Sequence, residues 1–463
     1  MTELPQADLR FGEETIPSSP VNLEFAPPCG PVVGYVAGQV IRATGIPYAE
    51  AERFEAPTPV HDWTVPLHAT RPSPASPQLV MSNLDTLVGD SLGDVPQDEH
   101  CQHLSITMPL DRVEGELLPV MVWIHGGAYA VGAGDAALYD ATSLVAEQRV
   151  IVVAVTYRLG ILGYLGGEGR AANLGLLDQI AALTWVRRNI SAFGGDPRRV
   201  TAFGQSAGAD AVVQLMATPS SEQLFRRAII QSPPLGISRG RQKMSAAMAR
   251  AGASIGRDTP LAELVAAQST VAAAAAPFGL QGMMAFGTQY GHSPLPDERD
   301  VEESWNRVAP DIDVLIGSTS QETRLFIAVI PALRRLATVP LVGKPATSLL
   351  SWALTQVVYT RSVKKFVSRH RRAGGLAYRY RFVWAPPGNF LGSTHAIDLA
   401  LLFGNRETWD GVEMLRGASW DEIDARGKAL RLVWADFARG EDFPERGTVP
   451  GVIRYARAAR PLP

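Results

Sequence analysis

Five short apolar runs constrain this chain more than any other feature. They are Pro119 to Ile124 (PVMVWI), Val150 to Tyr157 (VIVVAVTY), Val200 to Phe203 (VTAF), Ala228 to Gln231 (AIIQ) and Val314 to Gly317 (VLIG). Their β-branched content predicts strands. They show little polar alternation, so both faces of each strand must be covered, as in a parallel sheet enclosed by helices. A sixth run, Tyr378 to Trp384 (YRYRFVW), does alternate. Helical patterns sit between the runs. The clearest, Leu174 to Phe193, places Leu176, Ile180, Leu183 and Val186 at helical spacing and stops at Gly194-Gly195. Alternating strands and helices predict a doubly wound α/β fold. In such sheets, ligands bind outside the carboxyl ends of the strands. Residues just after each run are therefore the ones to inspect.

Composition narrows the classes. With 46% hydrophobic and 19% charged residues, the 463-residue chain is globular. Its length allows one to three domains. Lys+Arg 43 against Asp+Glu 46 leaves a net charge of −3, which argues against a nucleic-acid partner. No apolar stretch is long enough to span a bilayer, and the start, MTELPQADLRFGEE, lacks the apolar segment of a secretory signal. Two cysteines exclude a disulfide scaffold and point to a reducing, cytoplasmic setting. Residues 1–28 read as an irregular arm, and 29–463 as one domain. Pro57 to Pro77 predicts a surface loop. The run VAAAAAPFGL at Val271 to Leu280 predicts a helix that Pro277 ends.

After VTAF comes Gly204-Gln205-Ser206-Ala207-Gly208, a G-x-S-x-G pattern followed by the helical ADAVVQLMA. A sharp strand-to-helix turn needs small flanking residues and lifts the central hydroxyl above the sheet, near a helix N-terminus. Ser206 is thus a candidate nucleophile; otherwise it caps the helix. After PVMVWI comes His125-Gly126-Gly127-Ala128-Tyr129. Acyl transfer creates an oxyanion that needs preorganised N–H donors, and a glycine-rich loop at a strand end can supply them. The candidate donors are the N–H groups of Gly127, Ala128 and Ala207. His125 begins that loop and precedes the serine, so it reads as structural.

A serine nucleophile needs a histidine base held by a carboxylate. In the order nucleophile, acid, histidine, only His292, His370 and His395 follow Ser206. His370 lies in the basic run RSVKKFVSRHRR, which reads as a solvated helix face. His292 lies in an irregular segment. His395 follows a strand and the loop APPGNFLGSTH, the place for a catalytic histidine. The acid should end a strand between the two, and Glu322, in the loop after VLIG, fits. Asp311 and Asp313 sit at the wrong end of that strand, and Asp398 follows the histidine. The cluster His100-Cys101-x-His103 has no second ligand group, and GYLGGEG lacks nucleotide-loop spacing. Neither metal nor cofactor is expected.

With these residues in view, the chain resembles the type-B carboxylesterase family, which includes bacterial para-nitrobenzyl esterases and cholinesterases. The likeness runs from Gly34 to Phe437. It rests on GIPYAEAERF (Gly45 to Phe54), HGGAY, TYRLGILGYL (Thr156 to Leu165) and LLDQIAALTWVRRNISAFGGDPRRVTAFGQSAGA (Leu176 to Ala209). GSTSQE (Gly317 to Glu322) and HAIDLALLFG (His395 to Gly404) complete it. The resemblance implies an α/β-hydrolase fold: a mostly parallel central sheet with helices on both faces and helical insertions, at about 236–310 and 323–377, around an active-site gorge. It implies nucleophile Ser206, acid Glu322, base His395 and oxyanion donors Gly127, Ala128 and Ala207. The expected function is hydrolysis of small-molecule carboxylic esters through an acyl-enzyme. The alternatives are carbamate, amide or thioester hydrolysis by the same site, or a non-catalytic cholinesterase-like binding protein. The family often has Glu before the nucleophile, where this chain has Gln205. A common family disulfide would join Cys101 to the position of Ser76, so that bridge cannot form here.

Overall fold

The computed structural model describes residues 23–458, apart from 80, 81, 90, 91, 114, 338 and 340. Among them, eleven strands form the main sheet. In chain order these are β1 (Tyr35–Ala37), β2 (Val40–Pro47), β3 (His103–Pro109), β4 (Leu118–Ile124), β5 (Ile151–Val155) and β6 (Gly195–Gln205). The rest are β7 (Arg227–Gln231), β8 (Asp313–Thr319), β9 (Ala377–Phe382), β10 (Arg446–Val449) and β11 (Ile453–Arg457). The spatial order is β10-β11-β9-β8-β7-β6-β4-β5-β3-β2-β1. From β5 to β9 every pairing is parallel. Both flanks are antiparallel.

Every residue of β4 is buried, as its unbroken apolar run predicts. Successive side chains on a strand point to opposite faces, and the core divides accordingly. Val120, Val122, Ile124, Ile230 and Ile316 pack on one side with Leu176, Leu183 and Val186 of helix Leu174–Asn189 and Val212 of helix Ala207–Leu215. Met121, Trp123, Phe203, Ile229 and Leu315 pack on the other with Leu430, Val433 and Trp434 of helix Trp420–Arg439. The turn after β5 is tied to the first helix layer by a buried pair. Arg158 Nη2 meets Asp178 Oδ1 at 2.7 Å, and its Nε meets Oδ2 at 2.9 Å.

The antiparallel flanks were not foreseen, because their strands are short or broken by polar residues. Three sequence expectations need correction. Within the expected arm, Glu24–Phe25 is a strand paired with Val32–Val33, while residues 1–22 lie outside the described ones. The alanine-rich helix is Leu261–Ala273, and Pro277 opens the following 3-10 helix rather than ending that one. The basic helix Arg361–Arg372 is not simply solvated: Val363, Phe366, Val367 and His370 form a buried face. On its flank, the Arg369 guanidinium stacks over Trp305 at 4.3 Å.

His370 Nε2 donates to the Ile312 carbonyl at 2.9 Å, and burial pushes the ring down to about 4. An unfolded histidine titrates near 6.5. Between those values the unfolded chain binds the extra proton, so the ring's stabilisation is present above pH ~6.5 and lost as pH falls toward 4. Wild type should therefore lose about 1.4 kcal/mol more per pH unit than His370→Gln in this window, in urea unfolding run at stepped pH. Parallel pH slopes for the two proteins would contradict this.

Candidate active site

Five parallel strands deliver the candidate residues from their carboxyl ends: β4 the HGGA loop, β6 Ser206, β7 Ser232, β8 Glu322 and β9 the loop to His395. Ser206 sits between β6 and helix Ala207–Leu215 at φ 58°, ψ −122°. That is a strained backbone for a residue with a Cβ. Its N–H donates to the Gln231 carbonyl at 2.9 Å. The flanking glycines are required by space. A Cβ on Gly208 would lie 2.0 Å from the Ile124 oxygen, and one on Gly204 would lie 2.6 Å from the Gly208 carbonyl carbon.

Glu322 and His395 form a tight buried pair. His395 Nδ1 lies 2.5 Å from Glu322 Oε2. Glu322 Oε1 accepts from Ser232 Oγ and from the Thr319 N–H, each at 2.6 Å. The carboxylate is thereby fixed, and it fixes the ring tautomer with the proton on Nδ1. The rings of Phe326 and Tyr359 flank the imidazole at 5.5 Å. The other ring nitrogen, Nε2, therefore accepts, and the Gln205 amide nitrogen lies 3.1 Å from it. No described hydrogen bond joins Ser206 Oγ to the imidazole. Both groups line the same cavity of about 510 Å³. Catalytic hydrogen bonds are often loose before substrate binds.

The HGGA loop borders that cavity. Gly127, Ala128 and Tyr129 have φ of 107°, 55° and 59°. A Cβ on Gly127 would lie 2.0 Å from the Val131 oxygen, so the position requires glycine. None of the described hydrogen bonds uses the N–H of Gly127, Ala128 or Ala207, and Gly127 and Ala128 line the cavity with Ser206. Tyr129 anchors the loop by donating its hydroxyl to Asp210 Oδ2 at 2.7 Å. His125 is fully buried, stacked on Tyr157 with ring centroids 4.4 Å apart, and burial pushes it down to about 4.

The other candidates are not in this cluster. His292 is exposed, and His370 lies on the Arg361–Arg372 helix. Among the described residues no group of three or more His, Cys, Asp or Glu could hold a metal. Cys29 and Cys101 are free and buried, with Ser76 beside the Cys101 thiol. Sequence reasoning missed Ser232, which stands directly after a predicted strand and could have been found there. It also missed the placement of Asp398. That carboxylate is buried near the pair, accepts from Gln231 Nε2 at 2.8 Å, and is pushed up to about 6 by burial.

The cavity wall is apolar, with Leu138, Ile237, Met284, Val358 and Trp409 among its residues, and among the described residues no Asp, Glu, Lys or Arg lines it. A charged surface hollow of about 910 Å³ near Glu302 and Arg372 contains none of the groups above. Among the described residues, no helix is long and apolar enough to cross a membrane.

Comparison with known proteins matches residues 22–338 to the model of the carboxylesterase family. A probable N-octanoylanthranilate hydrolase of Rhodococcus erythropolis is 38% identical over 425 residues, covering 89% of this chain and 91% of that protein. A para-nitrobenzyl esterase of Bacillus subtilis is 34% identical over 450 residues, covering 89% of this chain and 88% of that one. Among solved structures, a thermophilic para-nitrobenzyl esterase superposes with a TM-score of 0.75 at 32% identity, over 90% of both chains.

Proposed function

The chain belongs to the carboxylesterase family and is a carboxylic-ester hydrolase of the α/β-hydrolase fold, and on that premise we propose that Ser206, His395 and Glu322 are its nucleophile, base and acid. The observation that carries this is the 2.5 Å Glu322–His395 pair, whose imidazole lines the same apolar cavity as a serine on a strained strand-to-helix turn. In this reading Ser206 Oγ attacks the ester carbonyl as His395 Nε2 takes its proton. Glu322 holds the ring and stabilises the imidazolium. The N–H groups of Gly127, Ala128 and Ala207 receive the oxyanion. The protonated ring then gives its proton to the leaving alcohol, and water, activated by the same nitrogen, releases the acid.

The apolar lining of this cavity favours neutral, apolar substrates. Each methylene that it buries adds about 0.8 kcal/mol, roughly fourfold in kcat/KM. Across nitrophenyl esters of rising acyl length, kcat/KM should climb by that factor per carbon until the cavity is full, and dicarboxylic half-esters should be poor. A flat series would contradict this reading. The second reading, an N-acyl substrate, is favoured by the relative named as an N-octanoylanthranilate hydrolase. Turnover of N-acyl aryl amides faster than the matching esters would establish it. The free, buried cysteines, with Ser76 opposite Cys101, support a cytoplasmic setting.

A further inference from the structure

Helix Gly343–Thr355 is inside out. Gly343, Thr347, Ser351 and Thr355, four residues apart, form its buried face. Their polar groups are satisfied internally: Thr347 Oγ1 donates to the Gly343 carbonyl at 2.8 Å, and Thr323 Oγ1 to the Ser351 carbonyl at 2.9 Å. The outward face carries Leu349, 66% exposed, and Trp352, 60% exposed. Leu341, in the turn before the helix, is 96% exposed, and Val342, Val339 and Leu336 are exposed beside it. A helix facing water has the opposite arrangement, and an apolar surface of this kind marks an interaction site.

Charge identifies the partner. Between Glu322 and Asp398 the sequence contains no Asp or Glu, although the whole chain has a net charge of −3. Arg334 and Arg335 on helix Pro331–Ala337, Lys344 on Gly343–Thr355 and Arg361 at the start of Arg361–Arg372 are exposed. A second copy would bring the same cationic rim against this one. The complement of an apolar face rimmed by cations and bearing an exposed Trp is an anionic lipid surface. The same stretch leads inward, since Val329, Leu354, Val358 and Tyr359 line the cavity that holds Ser206. We propose that helices Pro331–Ala337 and Gly343–Thr355 form a docking face for an anionic lipid surface, which places the cavity beside esters dissolved in it. The delivery step rests on the hydrolytic reading above; the docking step does not.

The test uses the purified full chain with vesicles of phosphatidylcholine alone and of phosphatidylcholine mixed with phosphatidylserine. The chain should sediment with the mixed vesicles, and less so as salt rises. Leu349→Ser combined with Trp352→Ser should weaken binding roughly tenfold or more, because partition follows buried apolar area. Hydrolysis of a short water-soluble ester should be unchanged in this variant, which shows that it is folded. Lys344→Glu should weaken binding to mixed vesicles only. No sedimentation of the wild type would overturn the proposal. A dimer by light scattering that the double variant abolishes would also overturn it, because a second copy would then cover the face. If vesicles bind but no ester is cleaved, docking stands and the hydrolytic reading fails.

Discussion

Ser206→Ala should lower kcat for a small nitrophenyl ester by roughly 10⁴ to 10⁶, as removal of a nucleophile acting with its base does elsewhere. The expected loss is large because no other described hydroxyl combines the same features. Ser206 stands on the strained turn at the end of β6, shares the cavity with His395, and has N–H groups free of other acceptors beside it. Alanine fits the site, since the turn is shaped by Gly204 and Gly208 rather than by the serine side chain. Folding should be retained and KM little changed. Residual activity should come from the oxyanion donors and substrate binding alone. Full turnover by this variant would remove the nucleophile assignment.

Glu322→Gln should cost about 10⁴ in kcat, by a different route. Both hydrogen bonds from Ser232 Oγ and Thr319 N–H fall on Oε1. A glutamine would keep its oxygen there, which turns its NH₂ toward His395 Nδ1. That nitrogen must then accept, so the ring's proton moves to Nε2, and the nitrogen facing the serine can no longer take a proton. Ser232→Ala together with Glu322→Gln should recover part of the loss, since the amide is then freer to turn. Pre-steady-state measurement of the acylation rate reads this directly. A tenfold or smaller loss in Glu322→Gln would show that the carboxylate does not set the tautomer.

The central strands were legible because burial on both faces writes an unbroken apolar run, and β4, with no exposed residue, is the plainest case. The flanks were not. The strand Tyr35–Ala37 is short and half-exposed, and β2 mixes Arg42 and Gly45 into its apolar residues. His370 was misread because RSVKKFVSRHRR looks polar by composition, while its helical period puts Val363, Phe366, Val367 and His370 on one buried face. The candidate site was legible because strand ends and chain order are properties of the sequence. The contacts of Gln205 with His395 and of Gln231 with Asp398 were not. They depend on Gln205 and Gln231 being register partners on adjacent strands, and pairing register is not written locally.

The most direct test is stoichiometric reaction with a fluorophosphonate followed by peptide mass mapping. A single adduct on Ser206, absent from Ser206→Ala and slowed at least a hundredfold in Glu322→Gln, is the result predicted by roughly the magnitudes above. An unlabelled wild type, or equal labelling of Ser206→Ala at another residue, would contradict it.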